Sequence, residues 1–310
     1  MAVFEGKAKK YRLAISGATG LIGSSLTAFL HTGGHEVIKL VRQTPSAQEP
    51  EIFWNPYNGE VDNEKLEGLD AVVHLCGENI AGQRWTPEFK TRLWKSRIDV
   101  TRFLCESLAG LENPPKVLIA ASATGYYGNR PEEAVDEDSP AGEGFLPELC
   151  QAWEHATLPA VERGIRVVNL RIAPVVTVHG GMLKKMLPAF RLGLGGPVGS
   201  GEQWLSWVGL DELIAMIYFL LGEDSTSGPV NACSPHALRN RDFAKALGHV
   251  LHRPAFLPLP AFAVKALFGE MGKSLLLEGC RARPSRLQEA GYDFIQPHLP
   301  EILKEELGKK

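Results

Sequence analysis

Three glycines at a spacing of three residues form the pattern in this 310-residue chain that most directly suggests chemistry. They follow a short apolar run at residues 13–16, and the small and apolar residues after them suit a helix. Such glycines permit a tight turn, close approach of the backbone to a pyrophosphate and close packing of helix on strand, while the helix N-terminus faces the phosphate charge. An ordinary glycine-rich turn is the alternative. The predicted dinucleotide cradle comprises Gly17, Thr19, Gly20, Leu21, Ile22 and Gly23.

Four further residues are predicted to contact the dinucleotide from outside this loop. Arg42 follows the second predicted strand, where a strict NAD site has an acidic residue for the ribose 2′-hydroxyl. Because a guanidinium can pair with a 2′-phosphate, Arg42 favours NADP(H) over NAD(H), with a solvated surface arginine as the alternative. Leu75 and Cys76 end a strand where the backbone can lie against a ribose or adenine. Arg97 belongs to a helical segment at residues 88–108, and we expect it to face the cofactor channel.

The elements that must position these residues alternate along the chain. Apolar, strand-like runs occupy residues 11–16, 37–41, 71–76, 116–121 and 165–170, with helical segments between them. Such runs are typical of parallel strands covered on both faces, and ligands bind at the carboxyl ends of those strands. We therefore predict an α/β fold with a Rossmann-type doubly wound parallel sheet. After about residue 228 the pattern becomes helical and interrupted by prolines, which predicts a small, mainly helical C-terminal lobe.

The predicted division of the chain follows from this change of pattern. Residues 1–175 are assigned to the NADP(H)-binding Rossmann domain, with its sheet completed by later segments. Residues 176–310 are assigned to the substrate side and the C-terminal lobe, interleaved with the first domain rather than separate from it. With 44% hydrophobic residues, the chain can bury the core that such an arrangement needs.

Composition argues against several other classes of function. A formal net charge of −3 with scattered basic residues gives no footprint for a nucleic acid. The longest strongly apolar run, residues 213–221, is less than half of the roughly 20 residues that a membrane helix needs. Five cysteines without a CxxC spacing or a His/Cys cluster disfavour a disulfide framework or a metal site. We expect no nucleic-acid or membrane partner, no metal and a cytoplasmic location.

Four hydroxyl side chains follow the fifth predicted strand, in the sequence SATGYYG: Ser122, Thr124, Tyr126 and Tyr127. Together with the opening glycines and the sequences GENIAGQRW and FRLGLGGPVGSGEQWLSWVGLDEL, this segment resembles the atypical and extended short-chain dehydrogenase/reductases. More narrowly, the chain resembles the NADP-dependent (nucleotide-sugar) epimerase family that is also labelled cell-division-inhibitor-like. The resemblance covers essentially the whole chain. It implies that Ser122 hydrogen-bonds a substrate oxygen and that Val175 contacts the nicotinamide region.

The same resemblance implies a tyrosine that acts as acid and base and a lysine four residues later that lowers the pKa of that tyrosine. The corresponding positions hold Leu146, which cannot transfer a proton, and Cys150, which supplies neither a fixed positive charge nor a clamp for the ribose. Tyr127, Tyr126 and Glu78 are the candidate substitute acids. We assign Ser122 and Tyr127 as candidate catalytic residues, with packing roles as the alternative.

Three functional hypotheses remain at this point. The leading one is an NADP(H)-dependent oxidoreductase or epimerase-like enzyme that acts on a small carbonyl compound, with nucleotide sugars as one candidate class. The second is a non-catalytic, NADPH-binding sensor or regulatory protein, which accounts for Leu146 and Cys150 without a new acid. The third is a structural descendant that binds no nucleotide.

Overall fold

The computed structural model describes residues 9–309, so the first eight residues of the predicted 1–175 domain lie outside it. In chain order the strands are β1 (Arg12–Ser16), β2 (Glu36–Val41), β3 (Glu51–Asn55), β4 (Glu60–Val61), β5 (Ala71–His74), β6 (Val117–Ala123), β7 (Ala134–Val135), β8 (Arg166–Ile172), β9 (Val175–Thr177), β10 (Trp204–Leu205), β11 (Val208–Gly209), β12 (Gly228–Ala232), β13 (Leu238–Arg239) and β14 (Arg281–Ala282). The predicted strands match β1, β2, β5, β6 and β8 to within two residues at each end.

The α-helices are α1 (Leu21–Thr32), α2 (Asn63–Leu66), α3 (Pro87–Lys95), α4 (Ile98–Ala109), α5 (Phe145–His155), α6 (Leu158–Glu162), α7 (Gly181–Arg191), α8 (Leu210–Gly222), α9 (Asn240–Leu251), α10 (Ala261–Gly272), α11 (Ser285–Glu289) and α12 (Leu299–Glu306). A 3-10 turn at Thr124–Tyr127 follows β6, and a π-helical turn at Lys273–Leu277 extends α10. Within the described residues, no helix is both long enough and apolar enough to cross a bilayer.

Eight strands form the central sheet in the order β12-β8-β6-β5-β1-β2-β3-β4. All neighbours are parallel except β3 and β4. The order reverses at β1, from which the chain builds outward to β2 on one side and to β5 on the other. Because ligands of such sheets bind at the carboxyl edge beside this reversal, the end of β1 is the expected cofactor position. The doubly wound α/β fold is confirmed, and the C-terminal region is mainly helical as predicted.

Apolar side chains cover both faces of the sheet, which accounts for its uninterrupted hydrophobic strands. On one face Leu13 and Ile15 of β1 pack with α1 and α8. On the other face Ala14 and Val72 pack with α4. The last strand, β12, comes from beyond residue 175 and pairs with β8 along its whole length. The boundary at residue 175 itself stays a prediction.

One predicted helix is two helices in the structure. The segment at residues 88–108 breaks at Ser96 and Arg97, which separate α3 from α4. Thr86 caps α3 by accepting a hydrogen bond from the Phe89 N–H, whereas Arg97 begins α4 without a side-chain cap. The prediction of a single helix was wrong because apolar periodicity continues through a short break. The break turns the Arg97 side chain inward, where only 8% of the residue is exposed.

Candidate cofactor and substrate site

The glycine loop after β1 packs so closely on neighbouring backbone that a side chain at Gly17 or Gly23 would collide with it. Gly17 has a φ of +71°, and a Cβ there would lie 3.0 Å from the Leu75 carbonyl carbon. A Cβ on Gly23 would lie 2.2 Å from the Gly17 carbonyl oxygen, so α1 crosses the loop where only glycine fits. Gly20 precedes α1 without a side-chain cap, which leaves backbone N–H groups at the helix start for a ligand. These features fit a dinucleotide pyrophosphate.

Three other segments meet this loop at the carboxyl edge of the sheet. Leu75 and Cys76 lie beside Gly17. Arg42 directly follows β2, which is parallel to β1, so it lies at the same end of the sheet. Burial raises the pKa of the Cys76 thiol, and Ser16 and Arg42 oppose that rise. A Cβ on Gly180, after β9, would lie 3.0 Å from the Leu21 side chain. The structure therefore brings the segments that hold the predicted cofactor residues to one edge.

A cavity of 410 Å³ opens at this edge between the ends of β6 and β8 and the C-terminal lobe. Its apolar wall includes Phe145, Leu146, Ile172, Trp204 and Leu275. Its polar groups come from several elements and include Arg97, Thr124, Glu143, Ser206, Glu270, Lys273, Ser274 and Glu278. Leu146 and Cys150 both line it, so the tyrosine and lysine positions implied by the resemblance face the cavity with a leucine that cannot transfer a proton and a cysteine that carries no fixed positive charge.

Arg97 is the buried cation of this cavity. Its Nη2 donates to the Glu78 carbonyl oxygen at 2.9 Å, and its Nη1 makes long contacts of 3.4 Å to the Leu93 carbonyl and Ser96 Oγ. Its guanidinium carbon lies 5.0 Å from the centre of the Trp153 ring. Burial lowers the pKa of Arg97, and the nearby Cys150 and Glu78 oppose that change. Among the described residues, Arg97 forms no ion pair with a carboxylate.

A buried polar network lies beside the cavity rather than on its wall. Arg171 on β8 pairs with Glu154 of α5 through two hydrogen bonds of 2.8 and 2.9 Å. Ser122 donates to the same carboxylate at 2.7 Å, and only 3% of Ser122 is exposed. Burial alone would lower the pKa of Arg171, but the hydrogen bonds and charge of Glu154 outweigh it and the pKa is raised. The Ser122 hydroxyl is thus directed at Glu154, and its role toward a substrate stays a prediction.

Tyr127 is also part of this network. Its side chain is fully buried, its hydroxyl donates to Asn231 Oδ1 at 2.7 Å, and the Arg171 Nη1 donates to that hydroxyl at 2.9 Å. Burial raises its pKa further above the usual value. The phenol donates to Asn231 and accepts from Arg171 inside the core, so its hydroxyl is directed at protein groups rather than at the cavity. Its catalytic role stays a prediction.

The two other candidate acids also point away from the cavity. The Tyr126 ring stacks on the Arg171 guanidinium, 3.5 Å from ring centre to carbon, and borders an open cleft between α4 and α5. The Glu78 carboxylate pairs with the exposed Arg92 at 3.4 Å. No phenol therefore faces the 410 Å³ cavity from the part of the chain that the structure describes.

His74 is a histidine of the buried core. Its Nδ1 lies 2.6 Å from Ser16 Oγ, and its Nε2 lies 3.0 Å from Thr101 Oγ1. Trp153 donates its indole N–H to the same Thr101 hydroxyl at 2.9 Å. Burial lowers the pKa of His74 to about 4, so the ring is neutral at pH 7. This chain of hydrogen bonds joins the end of β1 to the tryptophan that stacks on Arg97.

Sequence reasoning missed two groups of residues here. Neither Glu154 nor Arg171 is among the candidate residues selected from the sequence, although together they form the central buried ion pair. The wall contributed by residues 270–280 was also missed, and with it Lys273 and Glu278. The signal for Arg171 was an arginine within an otherwise apolar strand, since a charge there needs a partner. Residues 270–280 carry no such local signal.

Comparison with known proteins finds a family model described as the NAD dependent epimerase/dehydratase family, which matches residues 13–233. A second model, described as a domain of unknown function, DUF1731, matches residues 259–306. The epimerase family protein Mb2239 of Mycobacterium bovis is 45% identical over 291 residues, covering 94% of this chain and 96% of that protein.

Two solved structures resemble this chain in fold and are 33% identical to it in sequence. The human epimerase family protein SDR39U1 (isoform 2), crystallised with NADPH, superposes with a TM-score of 0.86 at 33% identity, covering 96% of this chain and all of that one. The nucleoside-diphosphate sugar epimerase of Corynebacterium glutamicum superposes with a TM-score of 0.80 at 33% identity, covering 97% of this chain and 59% of that one.

Proposed function

The chain belongs to the NAD dependent epimerase/dehydratase family, and on that basis we propose that it is an atypical short-chain dehydrogenase/reductase that binds NADP(H) and acts on a small carbonyl compound. The observation that carries the proposal is the glycine loop, in which a Cβ on Gly23 would lie 2.2 Å from the Gly17 carbonyl oxygen. Such crowding beside an uncapped helix start is what a pyrophosphate site requires. The human relative crystallised with NADPH supports the same cofactor.

In this proposal each part of the carboxyl edge has a separate task. The loop from Gly17 to Gly23 donates backbone N–H groups to the pyrophosphate, and the exposed Arg42 pairs with the 2′-phosphate of NADP(H). Leu75, whose carbonyl group lies beside Gly17, and Val175, at the start of β9, contact the dinucleotide in this proposal. When bound, the cofactor supplies or accepts a hydride at its nicotinamide ring. The protein orients the substrate and excludes water from the cavity.

The cavity favours a substrate with polar or anionic oxygens. Arg97 brings positive charge to a wall that is rich in apolar and aromatic side chains, whereas Lys273 pairs with Glu278 at 3.3 Å. Because Glu143 and Glu270 also line the cavity, the oxygens of a substrate would bind on the Arg97 side. A nucleotide sugar is one class with this chemistry, and the Corynebacterium relative carries the name of a nucleoside-diphosphate sugar epimerase. Since Leu146 occupies the usual tyrosine position, catalysis by this chain would rest on positioning and electrostatic stabilisation rather than on a tyrosine acid.

Titration with NADPH and NADH, followed by cofactor fluorescence, tests the binding half of the proposal. We expect tight binding of NADPH by the natural protein and a loss of about tenfold or more for Gly23→Ala, because the added methyl group overpacks the loop. Gly110→Ala is the matched control, since a Cβ at that helix end meets nothing closer than 3.6 Å. NADPH affinity no better than millimolar in the natural protein would refute the proposal.

A second function, a non-catalytic NADPH sensor, is favoured by one observation: among the described residues no tyrosine faces the cavity, and the lysine position holds Cys150. NADPH oxidation across a panel of aldehydes, ketones and nucleotide sugars separates the two functions. Turnover of any member supports the enzyme. Tight NADPH binding without turnover, together with altered protease sensitivity of the C-terminal lobe on NADPH addition, would support the sensor instead.

A further inference from the structure

Arg97 is a buried cation on the cavity wall, and most of its hydrogen-bond donors have no close protein acceptor. Only 8% of the residue is exposed and it lines the cavity, yet its firm hydrogen bond is a single 2.9 Å contact to a backbone carbonyl. A guanidinium has five N–H donors, and a buried charge without a carboxylate partner is costly unless something else satisfies it. Since the side chain lies on the cavity wall, the spare donors are available to a ligand with electron-rich oxygens.

The neighbours of Arg97 hold it in that position. Trp153 stacks on the guanidinium, and its indole is fixed by Thr101 and, through it, by His74. On the other side a Cβ on Gly77 would lie only 3.4 Å from the guanidinium carbon, so Gly77 leaves room for it. Both contacts orient the charge and neither neutralises it.

Cys150 lies near Arg97 and occupies the position at which the family resemblance implies a lysine. Both residues line the cavity. Burial raises the pKa of the Cys150 thiol to about 12, and Arg97 and Arg171 are positive groups near enough to oppose that rise. A lysine at position 150 would therefore put a second cation beside Arg97, whereas a small neutral cysteine leaves the space and the charge to the arginine.

We propose that Arg97, at the start of α4, supplies the fixed positive charge that the family's lysine supplies from α5, and that it binds oxygens of the nicotinamide half of NADP(H). The inference rests on the proposed function, because it assumes that NADP(H) occupies this edge of the sheet. In this arrangement the fixed positive charge is carried by Arg97 at the start of α4 rather than by a lysine in α5. The small cysteine at position 150 leaves room for that charge.

A double-mutant cycle on NADPH affinity and thermal stability tests this exchange without any knowledge of the substrate. The proteins are the natural chain, Arg97→Gln, Cys150→Lys and the double variant, with NADPH binding followed by fluorescence. Arg97→Gln should weaken NADPH about tenfold or more through loss of charge-assisted hydrogen bonds. Cys150→Lys alone should lower both Tm and affinity, because two cations then share one buried site.

The double variant is the decisive protein. If the charge has moved, adding Cys150→Lys to Arg97→Gln should restore at least half of the affinity lost in Arg97→Gln, and the double variant should be more stable than Cys150→Lys alone. Arg97→Lys should retain most of the affinity. Arg102→Gln is the matched control, since it removes the same charge from an exposed position about one turn further along α4.

The outcomes distinguish a failure of the proposed exchange from a failure of the proposed function. Unchanged NADPH affinity in Arg97→Gln, or losses that simply add in the double variant, would overturn the exchange and leave the proposed function intact. A natural protein that does not bind NADPH would overturn the proposed function, and with it the exchange.

Discussion

Two buried arginines lie at the carboxyl edge of the sheet, and they are held in opposite ways. Arg171 has a two-point ion pair with Glu154, a hydrogen bond to Tyr127 and a contact of 3.3 Å to the Glu137 carbonyl. Arg97 has one short hydrogen bond to a backbone carbonyl. Of the two, Arg97 alone lines the cavity. A buried charge whose hydrogen bonds are all made within the protein (a saturated charge) holds elements of the fold together. A buried charge that faces a cavity with unused donors can bind a ligand.

The difference also explains why the hydroxyl residues of SATGYYG do not behave alike. Ser122 and Tyr127 are held by Glu154 and Arg171, so they belong to the saturated network. Thr124 faces the cavity instead. Leu146 and Cys150 face the cavity from α5, at the positions where the resemblance implies a tyrosine and a lysine, while Glu154 of the same helix ties β6 and β8 to α5.

The largest expected effect is on the saturated arginine. Arg171→Gln should lower the free energy of unfolding by about 3 to 5 kcal/mol, because it leaves the Glu154 carboxylate without its buried partner. Urea unfolding measures the loss. Arg97→Gln is the variant for comparison. Its free energy of unfolding should stay within about 1 kcal/mol of that of the natural protein, because no buried carboxylate loses its ion-pair partner. Equal losses for the two variants would mean that both arginines are structural.

Acid pH should weaken the hydrogen-bond chain that supports Trp153 against Arg97. His74 has a folded-state pKa of about 4, below its ordinary value of 6.5, so the unfolded chain takes up the proton first. Its contribution is full above pH 6.5 and is lost as the pH falls toward 4, which amounts to about 3 kcal/mol. Unfolding free energies measured from pH 7 to 4 should fall less steeply in His74→Gln. Parallel curves for the two proteins would contradict this assignment.

Arg42 offers an exposed arginine for comparison with the two buried ones. Arg42→Ala should weaken NADPH by roughly 1 to 3 kcal/mol through loss of a charge-assisted contact with the 2′-phosphate, and should leave NADH nearly unchanged. Parallel titrations with the two cofactors measure the difference, and NADH serves as the internal control. Equal losses for both cofactors would show that Arg42 does not read the 2′-phosphate.

The smallest effect is expected at Tyr127. Tyr127→Phe removes the hydroxyl that bridges Arg171 and Asn231, which should cost about 1 kcal/mol of stability. NADPH affinity should not change, because the phenol lies in the core and not on the cavity wall. Thermal unfolding and NADPH titration of the same preparation give both numbers. Unchanged stability with a large loss of cofactor binding or turnover would support the catalytic role predicted for Tyr127.

Much of the fold and of the cofactor edge could be predicted without coordinates. The five apolar strands, the glycine loop and the helical character of the C-terminal lobe come from local periodicity and from turn chemistry, which are properties of short segments. The substitutions at Leu146 and Cys150 were also visible in the sequence. The cavity partners were not, because residues 270–280 reach it through long-range packing.

The sequence by itself determined the doubly wound sheet, predicted the loop where a dinucleotide would lie, and showed Leu146 and Cys150 at the positions where the resemblance implies a tyrosine and a lysine. Only the tertiary structure decided which polar residues are saturated and which are free. Arg97 lies in a segment with other charged residues and Arg171 lies within an apolar strand, but neither local pattern shows whether a carboxylate pairs with the guanidinium. Their roles differ because a break at Ser96 turns one toward a cavity, whereas packing of α5 on β8 brings a carboxylate to the other.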